Sequence, residues 1–593
     1  MLDTTDHMES ESARRTQPRA LTTRLITDFA ELQSFAGVWR RLWESNPNKE
    51  IFTSLPWLEA WWRGFGSGLQ LLAPAVFDGP TLVGIVPLVI EKRTIRFVGH
   101  SFADYSDLIC EPARKTEVLE AAIAALDESP FPWDLCELTN VSENSLIIGA
   151  REALPARERR RTETIVSAQC PTILLGEGRA ETLNDILNRT QERRHLRKLQ
   201  KAGTLRFRHI EDRAQAREHL PIFVKQHIRC RAFAGIRSRF LDKGSLDFYS
   251  ALIENLDPST DLRFSILELD DHPIAYLFGF QLDGKMSHYA PTYDIDFFDF
   301  SPGQVLLWHL FAHAGENDVK EYDFTVGDEA YKGRFANHVR HNHTLFVYPR
   351  TARGRLIHLS HAAKETLRSY PGAFRVAKKA GAAVRAFANR VGDGLRRDGP
   401  LELARKALSQ LVREAIYSRD EMLVGTFGPR DVPTNGRAIV FQEAKLSDLA
   451  DAAAANEEYL GDETLQGLRR RIKAGHIPFV TYENGIIVHM NWLRVEDRIT
   501  ATELGEDFVL QLGGPAGIMY DGWTARVARG RGIQPISAAS LGQHIRSLGL
   551  EPWVYVMANN TSSRRGLAKA GIDVRHRMIR QSYFHWIRRR DVT

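Results

Sequence analysis

The sequence predicts a multidomain protein of the α/β (α+β) class, and three observations support this fold class. The chain has 593 residues, enough for about three or four domains. Hydrophobic residues make up 43% of it and charged residues 26%, as in globular proteins that bury several cores. Helix-like and strand-like patterns alternate in three successive stretches, which is typical of mixed helix-and-sheet domains.

Each of the three stretches contains helices, several strands, another helix and a further strand. Between the second and third lies a segment rich in Lys and Arg, which Gly and Pro break into short helices. We therefore divide the chain into a disordered tail, two domain-like halves, a basic helical linker and a C-terminal domain. The predicted boundaries are 1–20, 21–172, 173–350, 351–425 and 426–593.

Charge and apolar patterning exclude several classes of protein. The net charge is only +5, and residues 350–420 hold sixteen Lys and Arg against six Asp and Glu. The first twenty residues lack the apolar run of a secretory signal. The most apolar run, Thr81–Ile90, has ten residues, whereas a membrane span needs about 20. Four widely spaced cysteines without a CxxC pair indicate neither a zinc site nor a disulfide scaffold. We expect a cytoplasmic protein without a metal.

A glycine-rich loop near the C-terminus carries the clearest chemical signature. Arg529-Gly530-Arg531-Gly532 joins a strand to a helix, and its glycines allow backbone N–H groups and the helix N-terminus to hold a phosphate. The loop resembles the pyrophosphate loop of GNAT acyltransferases, Arg/Gln-x-x-Gly-x-Gly/Ala, with Gln534 in place of the last small residue. The resemblance implies a GNAT (acyl-CoA N-acyltransferase) fold, with acetyl-CoA or another acyl-CoA as co-substrate.

The segment after this loop also resembles a GNAT domain. Asn559, Asn560 and Lys569 fall at the positions expected after the fifth strand of that fold, which implies that the two asparagines contact the cofactor. The family often has a tyrosine in the next helix that protonates the leaving thiolate, whereas this sequence has Leu567. The alternative is a GNAT shell that has lost its cofactor and serves as a scaffold.

A second set of motifs lies in order along the first 350 residues, and its members are Phe52–Ser54, Trp57–Trp62, Asp104–Asp107, Tyr322–Phe324 and Gly327–Lys332. In this order the motifs resemble those of the CelD/BcsL-like acetyltransferases associated with bacterial cellulose and exopolysaccharide production. Those proteins are GNAT-related and, in their paired halves, similar to the FemABX transferases. The resemblance implies two GNAT-like halves before the C-terminal GNAT domain.

Two groups of residues in the central half are candidates for catalysis. A carboxylate of Asp328 or Glu329 can take a proton from an amine or hydroxyl, and Lys332 can neutralise a phosphate or an oxyanion. The structural alternative is that Asp328 caps a short helix, with Lys332 on its solvated side. His288 and Tyr289 lie on the strand where the resemblance places the opening for the thioester, and strand alternation puts them on opposite faces.

Two further features are candidate anion sites, each with a structural alternative. Ser301 and Gly303 open the helix that would hold a pyrophosphate in the central half, where a helix N-terminus attracts anions; plain helix initiation is the alternative. A neighbouring helix carries cations every four residues on one face, where a phosphorylated donor or a sugar nucleotide would offset their repulsion; a solvated basic face is the alternative. These cations are Arg189, Arg193, Arg197 and Lys201.

The features favour an enzyme that transfers an acyl group, in the simplest case acetyl, from a CoA thioester to an amine or hydroxyl of a small-molecule or saccharide-linked acceptor. A role in envelope polysaccharide synthesis follows from the resemblance alone. The alternatives are a non-catalytic GNAT-shell partner of an exopolysaccharide machine and a FemABX-like aminoacyl transferase that uses charged tRNA. No aromatic RNA-reading motif is present. The basic linker predicts either a strut between domains or peripheral contact with an anionic inner membrane.

Overall fold

The structure of the chain is a computed structural model that divides into two compact units. The first unit holds most of the chain up to residue 366, and the second holds the remainder together with the short segments 226–238 and 294–299. The predicted tail, 1–20, and most of the predicted linker, 369–416, lie outside the described residues. The described residues are 21–176, 178–368, 417–428, 439–455, 464–505, 508–583 and 586–592.

Up to residue 368, strands and helices follow one another largely as the sequence predicts. The strands are β1 Thr22–Ile26, β2 Gln70–Leu71, β3 Ala73–Asp78, β4 Thr81–Ile85, β5 Leu88–Glu91, β6 Thr94–Phe97, β7 Ile109–Cys110, β8 Leu135–Ser142, β9 Thr162–Leu174, β10 Leu205–Ile210, β11 Leu262–Leu269, β12 His272–Leu282, β13 Lys285–Tyr293, β14 Glu321–Asp323 and β15 His338–Val347. The α-helices are α1 Phe29–Ser34, α2 Ala36–Glu44, α3 Leu55–Phe65, α4 Lys115–Asp127, α5 Leu146–Glu152, α6 Ala156–Arg159, α7 Arg179–Leu187, α8 Thr190–Gln200, α9 Arg213–Phe233, α10 Ser245–Asn255, α11 Pro302–Glu316, α12 Ala330–Gly333 and α13 Ala352–Arg368.

The N-terminal and central halves share one large sheet and one aromatic core. A small antiparallel sheet has the order β1-β3-β4-β7, and an eleven-stranded sheet has the order β10-β11-β12-β13-β14-β9-β15-β8-β6-β5-β2. Phe52, before α3, lies with its ring centre 5.6 Å from those of Phe280 and Tyr289 in the central half. Because a shared core of this kind resists separation, the two halves are one structural unit.

The central half contains a sheet that splits between two parallel strands. β13 and β14 run parallel and pair over three residues each, ending at Ser287 and Asp323. Beyond Ser287, β13 stays bonded to β12 up to its end at Tyr293. The chain after β14 instead follows β9, and Gly327 donates its N–H to that strand. The opening between the two strands lies where the resemblance to a GNAT fold predicts it.

The second unit repeats the arrangement of the central half. Its strands are β16 Tyr417–Phe427, β17 Ile439–Glu443, β18 Ile477–Glu483, β19 Ile486–Thr500, β20 Val509–Thr524, β21 Pro552–Met557, β22 Ile572–Tyr583 and β23 Trp586–Val592. Its helices are α14 Leu446–Ala455, α15 Leu465–Lys473, α16 Ile533–Ser547 and α17 Thr561–Lys569. The sheet order is β17-β18-β19-β20-β21-β16-β22-β23, and β20 and β21 form a parallel pair that separates after Met519 and Val554.

The first strand of this sheet begins before the predicted domain boundary. β16 lies between β21 and β22 and pairs antiparallel with both. The predicted boundary at 425–426 therefore falls inside a central strand, because the linker pattern continues into β16 without a break in composition. Among the described residues, no helix is long and apolar enough to cross a membrane.

Candidate functional site

The opening between β13 and β14 receives a carboxyl group from the N-terminal half. Asp104, in the loop between β6 and β7, lies near Thr325, whose side chain lowers the pKa of the Asp104 carboxyl and donates to the His288 carbonyl over 3.5 Å. Thr325 follows β14, is 2% exposed, and has a left-handed backbone with φ of 56°. That conformation is unfavourable for a β-branched residue, and such strain is concentrated at functional sites.

The acidity of Asp104 is tuned by its surroundings. Burial raises the pKa of Asp104 to about 6. The cations Arg239 and Lys332 oppose this shift, whereas the neighbouring carboxylate of Asp323 adds to it. A carboxylate with a pKa near 6 is mostly ionised at neutral pH and is more basic than an exposed aspartate, so this group suits general-base chemistry.

Arg239 provides a cation at the same opening. It begins the short 3-10 turn Arg239–Leu241, and its guanidinium lies 5.3 Å from the ring centre of Phe102 and 5.4 Å from that of Tyr289. It also donates to the Tyr289 hydroxyl over 3.1 Å, and that hydroxyl donates to the Phe102 carbonyl over 2.8 Å. Two aromatic rings and a hydroxyl therefore hold the positive charge in place.

The buried carboxylate of Asp323 connects two of the sequence motifs, Asp104–Asp107 and Tyr322–Phe324. Asp323 is fully buried, and its Oδ1 accepts from the Tyr105 hydroxyl over 3.0 Å and from the Thr325 N–H over 2.7 Å. Its Oδ2 lies 3.1 Å from Nζ of Lys285. Tyr105 adjoins Asp104 in the chain and Thr325 lies near it in space, so Asp323 fixes two neighbours of Asp104.

The predicted group Asp328, Glu329 and Lys332 lies beside this opening. The prediction that Asp328 caps a helix here is wrong. The helix there is only Ala330–Gly333, its N-cap is Glu329 without a side-chain bond, and Asp328 is exposed. Lys332 is not on a solvated side, since it is 4% exposed. Its Nζ donates to the Val326 carbonyl over 2.9 Å and lies 2.8 Å from Glu329 Oε2. Lys332 therefore satisfies a backbone carbonyl of the tight turn after β14.

His288 and Tyr289 point to opposite faces of β13, as predicted, and both are buried. His288 Nδ1 lies 2.8 Å from the Tyr322 hydroxyl, and burial lowers the pKa of His288 to about 3. Its imidazole is therefore neutral and already hydrogen-bonded at physiological pH. Tyr289 contacts the candidate site through its bond from Arg239, and the His288 backbone carbonyl accepts from the Thr325 hydroxyl over 3.5 Å.

The N-terminus of α11 differs from a phosphate loop in charge. Ser301 is its N-cap, with a left-handed φ of 55° and no side-chain capping bond. A side chain at Gly303 would meet only the ring of Tyr293, so the backbone there is accessible. The seven residues 294–300, however, contain three Asp and no Lys or Arg. A helix end preceded by acidic residues is a poor site for a pyrophosphate.

The predicted basic face of α8 is confirmed in part. Arg193, Arg197 and Lys201 are exposed, and no ion pair joins them to any residue of the described ranges. Arg189 departs from the stripe, because it donates to the carbonyl of Arg334 over 2.6 Å and so packs against the body of the central half. The face is a solvated basic surface with one structural member.

The predicted loop of the second unit has the backbone that a phosphate loop requires. Gly530 and Gly532 are left-handed, with φ of 75° and 78°, and Gly532 is the N-cap of α16 without a side-chain capping bond. Its first N–H groups consequently have no partner within the helix. Arg531 Nη2 lies 2.9 Å from Glu483 Oε1, which turns this cation towards the protein and leaves Arg529 beside the helix end.

A cavity of about 270 Å³ opens at this helix end. Three of its lining side chains are cations and none is acidic. Gln534 lies in the wall and donates to Ser563 Oγ over 3.0 Å, so it bridges α16 and α17. The lining residues are Thr524, Ala528, Arg529, Gly530, Gly532, Ile533, Gln534, Pro535, Thr561, Ser562, Arg565, Gly566 and Lys569.

The two predicted asparagines lie next to this cavity but do not line it. Asn560 is the N-cap of α17, and its Oδ1 accepts from the Ser563 N–H over 3.1 Å. Asn559 is exposed. Leu567 is 4% exposed and packs in the core, so this position offers a bound thiolate no proton donor. Among the described residues, no group of three or more His, Cys, Asp or Glu side chains is arranged to hold a metal ion.

Several residues of both sites carried too weak a sequence signal to be assigned a role. Asp104 was part of a motif, but only the fold shows that its partner, Thr325, lies 221 positions further along the chain. Arg239 belongs to no motif, and Arg565 lies in the GNAT-like segment without a role assigned to it. The motif that contains Asp104 was thus a usable signal for this residue. Nothing in the local sequence singles out Arg239.

Comparison with known proteins identifies one domain directly. Residues 188–333 match the family model described as an acetyltransferase (GNAT) domain, and no curated protein matches the chain. FemX is similar in structure at 12% identity, over 54% of this chain and 96% of that one, with a TM-score of 0.37. The C-terminal domain of a putative lysylphosphatidylglycerol synthetase from Agrobacterium fabrum is also 12% identical, over 47% and 85%, with a TM-score of 0.32.

A tandem GNAT protein from the clavulanic acid biosynthesis pathway is 14% identical, over 55% of this chain and 98% of that one, with a TM-score of 0.34. The family model covers β13 and β14, which separate, the helix α11 between them, and the turn that contains Thr325. The chain is thus a multidomain α/β protein with GNAT-type folds, in which residues 188–333 match the GNAT acetyltransferase domain model.

Proposed function

We propose that the central half catalyses acyl transfer to an amine or hydroxyl, with Asp104 as general base. The observation that carries this proposal is the position of Asp104 at the split between β13 and β14, beside the strained Thr325 and near Arg239 and Lys332, with a pKa of about 6. Asp104 takes the proton from the acceptor as its nitrogen or oxygen attacks the acyl carbonyl. The acyl–sulfur bond then breaks and CoA leaves as the thiol after taking up a proton from solvent.

Arg239 and Lys332 support this chemistry in different ways. The Arg239 guanidinium, held by Phe102 and Tyr289, is a donor for negative charge that develops on the acyl oxygen. The Lys332 ammonium fixes the turn after Thr325 through the Val326 carbonyl, which keeps the base and the opening in register. The saccharide-linked acceptor and the role in envelope polysaccharide synthesis rest on the motif resemblance alone.

The C-terminal unit is proposed to bind the phosphates of an acyl-CoA without catalysing the transfer. Its loop offers two left-handed glycines, a helix end and the side chains of Arg529, Arg565 and Lys569 with no acid among the lining residues, a combination that favours an anion. Leu567, buried where the related domains often have tyrosine, leaves this unit without that proton donor.

The catalytic assignment is tested by comparing aspartate variants in a thiol-release assay with acetyl-CoA and a panel of amino sugars and alcohols. Asp104→Asn should lose about 10²–10⁴-fold in kcat because the base is removed. Asp318→Asn is the matched control, since that side chain is 82% exposed and lies outside the opening. If Asp328→Asn abolished turnover while Asp104→Asn retained it, the base would be Asp328 as the sequence suggested.

A second candidate function is aminoacyl transfer from a donor other than CoA. The segment 294–300 before α11 contains no Lys or Arg, and this favours it, since the segment brings no cation of its own for a CoA pyrophosphate. A side-by-side assay with acetyl-CoA and with aminoacyl-tRNA as donors separates the two functions. Transfer from the charged tRNA alone, lost in Asp104→Asn, would establish the second function and reject the first.

A further inference from the structure

A second cavity lies beside α17, outside the phosphate site. Its volume is about 440 Å³, which is within the range of about 300–1,000 Å³ for small-molecule sites. The walls come from β16, β21 and β22 together with α17. The lining residues are Leu423, Val556, Thr561, Arg564, Arg565, Leu567, Ala568, Ile572 and Val574.

The interior of this cavity is aliphatic. Leu423, Val556 and Leu567 are 4–8% exposed, and they come from the inserted strand β16, its neighbour β21 and the helix. Val574 on β22 is 41% exposed, so apolar surface continues to the mouth. An apolar concavity of this kind gains free energy when a hydrocarbon group displaces its water.

The mouth of the cavity is positively charged. Arg564 and Arg565 are both exposed, and none of the described lining residues is acidic. Arg564 donates one N–H to the Ala558 carbonyl over 2.8 Å, which orients its guanidinium and leaves other donors for a ligand. No hydrogen bond or ion pair joins Arg565 to another residue of the described ranges.

We propose that this cavity binds an aliphatic chain with an anionic head group, with the chain among Leu423, Val556 and Leu567 and the head at Arg564 and Arg565. The aliphatic walls fit the hydrocarbon chain, and the two arginines at the mouth favour an anionic head group over a neutral or cationic one. It also accounts for Leu567: the side chain at this position is a wall of an apolar site rather than a proton donor. Each further methylene that enters the cavity should strengthen binding by about fourfold.

The aliphatic chain of the ligand has two sources to distinguish. One is a free fatty carboxylate. The other is the acyl group of a thioester whose phosphates occupy the neighbouring cavity, since both cavities are lined by Thr561 and Arg565. The second source rests on the proposed acyl-CoA site, whereas the first is independent of it.

The test is calorimetric titration of the full chain with decanoate, 1-decanol and decylamine. Decanoate should bind, decanol at least tenfold more weakly, and decylamine not at all. Ala568→Trp, at an exposed helix position that lines only this cavity, should abolish decanoate binding, and Arg564→Gln should weaken it about tenfold. Leu548→Trp is the control, because Leu548 is 52% exposed and lines neither cavity.

Titrations with CoA and decanoyl-CoA separate the two sources from each other and from the proposed phosphate site. If decanoyl-CoA binds tenfold tighter than CoA and Ala568→Trp removes this gain, the thioester is the source. If CoA and decanoyl-CoA bind equally and decanoate also binds, the free carboxylate is the source. Failure of CoA to bind rejects the phosphate site only. The proposal is overturned if decylamine binds as well as decanoate, or if Ala568→Trp leaves binding of both decanoate and decanoyl-CoA unchanged.

Discussion

The central half and the C-terminal unit have the same strand order but opposite loop charges. In both, a strand that precedes the domain inserts beside the second member of the parallel pair: β9 next to β14, and β16 next to β21. In both, the helix after the first member of that pair begins at a left-handed residue, Ser301 in one and Gly532 in the other. The residues before those helices include three aspartates in 294–300 and three arginines in 525–532.

The two domains therefore share a strand order and differ in the residues that their loops place around it. The central half has a carboxylate and two cations at its split, but an acidic approach to its helix. The C-terminal unit has a basic phosphate loop, but an aliphatic side chain, Leu567, where a proton donor is expected. The shared strand order fixes where a ligand can bind, and the loop residues decide which ligand and which chemistry.

Removal of the inserted strand β16 should have the largest effect on the C-terminal unit. A C-terminal fragment that begins at residue 426 lacks almost all of β16, so β21 and β22 lose the partner between them. Because buried backbone N–H and C=O groups must be paired, we expect this fragment to aggregate or to show no near-ultraviolet circular dichroism. A longer fragment that begins at residue 410 should show a cooperative thermal transition. Equal folding of both fragments would mean that β16 is dispensable.

The basic loop is tested by a glycine and an arginine variant. Gly532→Val places a β-branched residue at φ of 78°, a conformation that only glycine adopts readily, and it should raise the Kd for CoA at least tenfold. Arg531→Ala should raise it only a few-fold, because Arg531 is paired with Glu483. Calorimetry on the full chain measures both. The opposite ranking would indicate that charge, not backbone geometry, holds the ligand.

The acid limb of the pH–rate profile tests the central site. Because only ionised Asp104 acts as a base, kcat/KM should be constant above about pH 7 and fall about tenfold per unit below the pKa near 6. The charged groups that face Asp104 are Arg239, Lys332 and Asp323. Asp323→Asn removes the one negative neighbour, so the pKa of Asp104 should fall and the acid limb should move to lower pH.

Tyr105→Phe provides a companion to that variant, because it removes the bond to Asp323 and changes no charge. It should lower kcat through looser positioning while the acid limb stays where it is in the wild type. An acid limb that does not move in Asp323→Asn would rule out Asp104 as the titrating base.

The sequence predicted the parts of the molecule that depend on local pattern. Alternation and turn residues indicated the order of most strands and helices, and the two glycines near Arg529 indicated the phosphate loop. It did not reveal that Tyr105 bonds to Asp323, since that contact joins positions 218 residues apart. Nor did it reveal the start of β16 or the burial of Lys332, because neither depends on local spacing: β16 is defined by its two partner strands, and Lys332 by an accepting carbonyl.

The smallest expected effect concerns the segment after the central half. Its described part is α13, in which Leu356 and Leu359 are each 68% exposed on one face. If this face contacts an anionic membrane, the full chain should co-sediment with anionic vesicles at low salt and not with neutral ones, and binding should fade as salt shortens the screening length. Leu356→Glu should weaken co-sedimentation several-fold, whereas Leu246→Glu, at a site 52% exposed on α10, should not change it. Indifference of the wild type to anionic vesicles at low salt would leave the segment as a strut between domains.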